Sequence, residues 1–182
     1  PLLRAVLLDV GKDDSVLLIS MHHIISDGWS MGVLCDELTR LYHGAAELSP
    51  LPVQYIDYAL WQLDWLAGDE LEKQLAYWRE QLLDVPPVLG LPYDRPRPMV
   101  PSYRGAWVQR RLSEALSQAV NQLARDNQYT LYMVLLATFS VVLARYSGRE
   151  DIVVGSPVAG RQRSELESLI GFFLNTLVMR SD

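Results

Sequence analysis

Apolar residues change their rhythm several times along the chain, and each change predicts an element. Leu2 to Val10 and Val16 to Met21 are short apolar runs on either side of Gly11-Lys12-Asp13-Asp14, the pattern of a β-hairpin. From Trp29 the apolar positions switch to helical spacing through Leu34, Leu38, Leu41 and Tyr42, and Gly44 suits the helix stop. Residues 55–66 predict a second helix, dense in Tyr55, Tyr58, Trp61 and Trp65 at a spacing that usually buries rings in a core. A third begins near Asp69, with Leu71, Leu75, Trp78 and Leu82 on its apolar side and Glu72, Lys73, Arg79 and Glu80 on a solvated face.

Residues 84–101 break this pattern, because they hold six of the ten prolines in the chain. Such a segment can neither continue a helix nor fill a central strand, and its extended, semi-rigid character suits a crossing between two lobes or a surface loop. Beyond it, Tyr103 to Leu112 reads as a strand, and Ser113 caps a helix carrying Leu116, Val120, Leu123 and Ala124 on one face. Thr130 opens an apolar helix to Tyr146 that Gly148 closes; Asp151 to Val158 is an apolar strand, and Gly160-Arg161 starts a polar loop. After Gly171-Phe172-Phe173, residues Leu174 to Met179 predict a last strand with Asn175 near its start. Alternating strands and helices make the class α/β. No internal repeat or low-complexity segment interrupts it.

Size and charge narrow the function classes. The 182 residues suffice for one ordinary domain or two small lobes, and 49% apolar content suffices for a core. Sixteen Lys and Arg against 22 Asp and Glu give a formal charge of −6 with no basic block, which disfavours a nucleic-acid or anionic-membrane partner. Cys35 is the only cysteine, so neither an internal disulfide nor a cysteine-rich zinc site is expected, and His22, His23 and His43 make no convincing metal set. The stretch Leu131 to Tyr146 is interrupted by Thr138, Ser140 and Arg145 and reads as buried rather than membrane-spanning. A cytoplasmic location is the default expectation.

The candidate chemistry lies in Met21-His22-His23-Ile24-Ile25-Ser26-Asp27-Gly28-Trp29-Ser30, where imidazoles, a carboxylate and a glycine sit on a strand-to-helix turn. A neutral imidazole, with a reference pKa near ~6.5, accepts a proton at neutral pH from an attacking amine, alcohol or thiol. Asp27 could orient such a ring, and Gly28, lacking a Cβ, lets a ligand or another backbone come close. Side chains alternate along a strand, so if the strand persists through the pair, one histidine faces a site and the other faces packing. The bland reading of the same residues is two satisfied core histidines, Ser26 or Asp27 as a helix N-cap, and ordinary turn chemistry at Gly28. Asn175 alone reads as a turn or capping residue, and Arg161, Arg163 and Arg180 as surface or ion-pairing groups.

The pattern HHxxxDG formed by His22, His23, Asp27 and Gly28 resembles the signature of the condensation domains of nonribosomal peptide synthetases and their acyltransferase relatives. Tyr55-Ile56-Asp57-Tyr58-Ala59-Leu60-Trp61 is similar to that family's Y-x-D-Y-A-x-W segment, and residues 170–180 to its I-G-x-F-x-N-T-L-x-x-R segment. The resemblance implies an α/β, chloramphenicol acetyltransferase-like two-lobe sandwich, incomplete at both ends, since the family's early arginine-rich segment and its late motifs are absent. On that reading residues 1–100 are the later part of the first lobe, with the histidine motif and the proline-rich crossing, and 101–182 begin the second. An exposed apolar edge follows where elements lack partners.

The implied reaction is attack by the amine of an aminoacyl group on the thioester of an upstream acyl or peptidyl group. Both substrates are carried on phosphopantetheine arms of carrier proteins, with no cofactor of the domain's own and no metal. Donor and acceptor peptidyl carrier proteins and neighbouring synthetase domains are the implied partners. Carried over by motif position, His23 faces the channel and either removes the amine proton or positions the amine, while His22 is the packed neighbour. Asp27 is structural and paired with an arginine, whose place in the family suggests the part before Pro1. Gly28 leaves room for the reacting groups or donates its amide, Trp29 packs behind it, and Asn175 lies by the channel. Intact histidines argue against heterocyclisation chemistry, and the later segments lean towards an L-configured donor. Two other classes stay open: a free-standing acyltransferase using coenzyme A thioesters, and a non-catalytic piece that docks carrier proteins.

Overall fold

Leu3–Gly11 (β1) and Asp14–Met21 (β2) pair antiparallel from Leu3 opposite Met21 to Gly11 opposite Asp14, the hairpin that the apolar runs predict. A register shift between Asp9 and Gly11 takes Gly11 into the strand, and the turn tightens to Lys12-Asp13, with Asp13 in the left-handed region at φ 72°. Asp and Asn tolerate that region better than most residues. In this computed structural model, which describes residues 1–45 and 47–181, the chain forms two compact units.

The first unit comprises residues 1–80 and 156–177. It holds the hairpin, the helices Gly28–Tyr42 (α1), Tyr55–Leu66 (α2) and Asp69–Gln81 (α3, all but its last residue), and the loop from Ser156 to the start of the last strand. Its buried centre is small: Leu166, Leu169 and Phe173, with Val53 and Tyr58 packed around them. The hairpin leaves apolar side chains of both faces in the open, among them Leu7 at 69% and Val10 at 60% exposure. The α2 aromatics depart from the core reading. Only Tyr58 is half-buried against the centre, whereas Tyr55, Trp61 and Trp65 stay exposed along a continuous ring ladder with centroid spacings of 6.0, 6.0 and 5.5 Å. One side of that ladder touches Phe173 and the rest lines a cleft.

The second unit comprises residues 81–155 and 178–182. Glu114–Asp126 (α4) and Leu131–Ser147 (α5) carry the predicted caps: Ser113 and Thr130 each accept a backbone N–H with their hydroxyls, and Gly148 closes α5 at φ 67°. Ile152–Val158 (β3) pairs with Asn175–Ser181 (β4), and each strand passes from one unit's residues to the other's. Arg180 binds Asp151 through Nη2 at 2.8 Å and the carbonyls of Gln81 and Leu83 through Nη1, so it pins the start of the proline-rich segment inside this unit. The predicted strand at Tyr103 to Leu112 does not form. That stretch pairs with no strand among the described residues, Tyr103 adopts φ 54°, and Trp107 and Val108 are 91% and 84% exposed. Strand propensity without a ladder partner leaves extended coil.

Candidate active site

β2 ends at Met21, and the chain turns at once into a 3-10 turn over His23–Ile25. His22 occupies the N-cap at φ −71° and ψ 137°; its backbone N–H still donates to Leu2 O (2.8 Å), while its Nδ1 accepts from Ile24 N–H (3.0 Å). His23 Nδ1 lies 2.7 Å from Ser26 O. A carbonyl only accepts, so His23 Nδ1 carries the hydrogen and, in the neutral ring, Nε2 is left with a lone pair. The two neighbours therefore hold opposite tautomers. The alternation argument that packed His22 away fails because the strand stops before the pair: both histidines are exposed. Phe172 meets the His23 ring edge-on, with centroids 5.2 Å apart and planes at 87°.

Four residues further on, Asp27 caps α1 from a nearly sealed position at 4% exposure. Its Oδ1 accepts from Ser30 N–H (2.8 Å), Ser30 Oγ (2.7 Å) and Arg161 Nη2 (3.2 Å), and its Oδ2 accepts from Phe173 N–H (3.1 Å). Burial by itself raises the Asp27 carboxyl, but the Ser30 backbone and hydroxyl donors, the Phe173 amide and the Arg161 charge outweigh it and hold the group below the usual carboxylate range. The arginine partner is therefore Arg161 of this chain, not a residue preceding Pro1, and its side chain is only 1% exposed rather than on the surface. Arg161 also donates through Nη1 to the carbonyls of Leu166 and Leu169, and its guanidinium stacks 4.0 Å from the Phe173 ring centroid.

Ser30, fully buried, joins the histidine motif to the late segment. Its Oγ accepts from Gly171 N–H (3.0 Å) and Arg161 Nη2 (3.0 Å), and its single hydrogen serves either Asp27 Oδ1 or Gly171 O, which lies 2.8 Å away. Two glycines allow this close approach. A Cβ on Gly160, at φ 63°, would fall 2.1 Å from Phe173 O, and one on Gly171 would fall 2.3 Å from the Tyr55 ring. A Cβ on Gly28 would meet open space. Trp29 donates its indole N–H to Glu167 O (2.9 Å), which ties α1 to the 164–167 turn. In the second motif, Tyr55 donates its hydroxyl to Phe172 O (2.8 Å), and Asp57 caps α2 by accepting from Gln54 N–H (2.8 Å).

A cleft of about 900 Å³ opens within the first unit, walled by the α2 ladder, Phe172 and Leu174 and by the side chains of Gln62, Gln162 and Asn175. Asn175 starts β4, with its Oδ1 accepting from Thr176 N–H (2.8 Å). His23 is not part of the cleft wall; it reaches that wall through Phe172. Sequence reasoning missed Ser30, Phe172 and the buried place of Arg161. The only sequence signal for the arginine was its position directly after Gly160 in a polar loop. Among the described residues no group of three His, Cys, Asp or Glu gathers as metal ligands, and no single helix is long and apolar enough to cross a membrane.

The architecture is the chloramphenicol acetyltransferase-like α/β fold of condensation domains. Residues 1–182 match the family described as Condensation domain, and the chain belongs to that family. Over its full length it is 51% identical to part of a linear gramicidin synthase polypeptide of Brevibacillus parabrevis and 46% identical to part of Malpinin synthetase of Mortierella alpina. It spans 2% of the length of each of these proteins. Among solved structures it superposes on holo-AB3403, a four domain nonribosomal peptide synthetase bound to AMP and glycine, with TM-score 0.89 and 31% identity, covering all of this chain and 14% of that one. The X-domain from teicoplanin biosynthesis gives TM-score 0.88 and 28% identity, covering all of this chain and 42% of the other.

Proposed function

We propose that this chain works within a nonribosomal peptide synthetase condensation domain, forming an amide between a donor acyl or peptidyl thioester and an acceptor aminoacyl thioester. Residues 1–100 supply the later part of one lobe and 101–182 the start of the other. Donor and acceptor groups arrive on phosphopantetheine arms of carrier proteins in the cytoplasm, and the domain needs no cofactor of its own. The observation that carries this reading is the His23 ring, fixed through Nδ1 to Ser26 O with Nε2 left to meet a substrate. The amine nitrogen attacks the thioester carbon, the C–N bond forms and the C–S bond breaks; the proton lost by nitrogen ends on the departing sulfur. His23 Nε2 takes that proton in passing or holds the amine by hydrogen bonding. Tethering supplies proximity, so the protein's tasks are orientation and proton handling. Asp27 and Ser30 hold the turn rather than touch substrate, Gly28 leaves space beside it, and Trp29 and Asn175 border the route of the reacting groups.

The test is a condensation domain containing this sequence, supplied with synthetic acyl and aminoacyl groups loaded on carrier proteins, with dipeptidyl thioester measured. His23→Gln is expected to cut the rate by ~10²–10⁴-fold, the span of general acid–base contributions, with the fold intact. Undiminished product from that variant overturns the role of His23. Equal turnover of soluble coenzyme A esters favours the free-standing acyltransferase class instead. Retention of carrier protein with no amide formed favours docking alone.

A further inference from the structure

The residues flanking Phe172 are fastened by their backbones, and Phe172 itself is fastened by its carbonyl. Ser30 Oγ accepts from Gly171 N–H (3.0 Å), Tyr55 Oη donates to Phe172 O (2.8 Å), and Asp27 Oδ2 accepts from Phe173 N–H (3.1 Å). The Phe173 ring is locked as well, between Tyr55, Tyr58 and the Arg161 guanidinium. The Phe172 ring, 37% exposed, is held differently: the ring it meets is the His23 imidazole, and it also forms part of the cleft wall. A fixed backbone with a side chain that touches both a cavity and a candidate proton acceptor is suited to transmit what fills the one to the other.

We infer that Phe172 is a positioning residue that couples the occupant of the aromatic cleft to the orientation of His23, and that the occupant is an apolar acylaminoacyl group. This rests on the reading of His23 given above. The cleft selects such a group by its lining. Tyr58 and Trp65 offer ring surface to an apolar side chain, Gln162 and Asn175 offer amides to the peptide-like linkages, and the cationic residue of the lining, Arg163, is stacked 4.8 Å over Trp61, whose ring also stacks on Trp65. The Ser26 hydrogen bond restrains the imidazole on its Nδ1 side, while the Phe172 edge restrains it by packing. An apolar group pressed on the cleft side of Phe172 shifts or stiffens that ring, and the imidazole follows.

The experiment uses a condensation domain containing this sequence, labelled at histidine Cε1 and tryptophan Nε1, with His23 and Trp65 resonances assigned through His23→Gln and Trp65→Phe. The probe is N-acetyl-L-leucine joined to aminopantetheine by an amide, so that no turnover occurs. In the parent domain both resonances move along one binding curve, and the N-acetylglycine analogue, which lacks the apolar side chain, binds about tenfold more weakly. Phe172→Ala removes part of the cleft wall and is expected to weaken the probe, but at saturating probe the Trp65 response persists while at least half of the His23 response disappears; Phe172→Tyr restores it. A Trp65 response without a His23 response in the parent, an undiminished His23 response in Phe172→Ala, or no binding at millimolar probe each overturns the inference. None of these readouts depends on amide formation, so they separate failure here from failure of the catalytic reading, which product formation by His23→Gln decides.

Discussion

His23 Nδ1 stands 2.7 Å from Ser26 O, so the turn that follows the ring chooses which nitrogen keeps the hydrogen. His22 is fixed the other way, since its Nδ1 receives Ile24 N–H at 3.0 Å and its hydrogen must sit on Nε2. Long-range 1H–15N spectra of the neutral rings are expected to show a protonated Nδ1 for His23 and a protonated Nε2 for His22. The same protonated nitrogen in both rings would remove the argument that Nε2 of His23 is poised as an acceptor.

The Asp27–Arg161 pair is buried on both sides, at 2% and 1% side-chain exposure, so removing either partner strands a charge out of water. Asp27→Asn or Arg161→Met is expected to cost ~3–5 kcal/mol in urea unfolding, far above the value of an exposed pair. The double variant should lose less than the sum of the two, because each single change already breaks the same bonds. Additive losses would mean that the two side chains stabilise the fold independently.

Acid should weaken the molecule through the same carboxylate. Asp27 is held below its usual 3.8 in the folded chain, so the unfolded chain binds its proton first as pH falls. The contribution is complete above that unfolded value and drains away as pH drops below it, through the folded value. Unfolding midpoints of the parent and of Asp27→Asn, measured from pH 6 down to pH 3 and below, should therefore converge at the acid end. A constant gap between the two would exclude a depressed Asp27.

Local signals in the sequence were enough to reveal most elements. The hairpin, the caps at Ser113 and Thr130, the stop at Gly148 and the strand at Ile152 all depend on residues within a turn or two of each other. What escaped depends on distance along the chain. Arg161 lies 134 positions from Asp27, and Gly171 lies 141 from Ser30, so neither link leaves a periodic trace. The histidine pair was misread for a local reason: alternation assumes that the strand continues, and β2 ends one residue too soon. Tyr103 to Leu112 had the composition of a strand without a neighbour to pair with, and composition does not report a missing partner.

Three glycines at the site separate shape from chemistry. Gly160 combines φ 63° with a Cβ position 2.1 Å from Phe173 O, a backbone atom that cannot swing aside. The left-handed conformation alone costs a residue with a Cβ ~1–2 kcal/mol, and relief of the clash must displace the segment that carries Phe172 and Phe173. Gly160→Ala is thus expected to lose at least ~3 kcal/mol, in the range reserved for core disruption. Gly171→Ala meets the Tyr55 ring instead, and a ring can tilt, so its cost should be smaller but should break the Tyr55 bond to Phe172 O. Gly28 has nothing within 4 Å of its Cβ position and sits in the first turn of α1, where alanine favours the helix by up to ~1 kcal/mol over glycine. Gly28→Ala should melt at or slightly above the parent temperature. If its rate of amide formation nevertheless falls, the open space at Gly28 is used by the reacting groups; an unchanged rate would leave the glycine of the motif without a part in the chemistry.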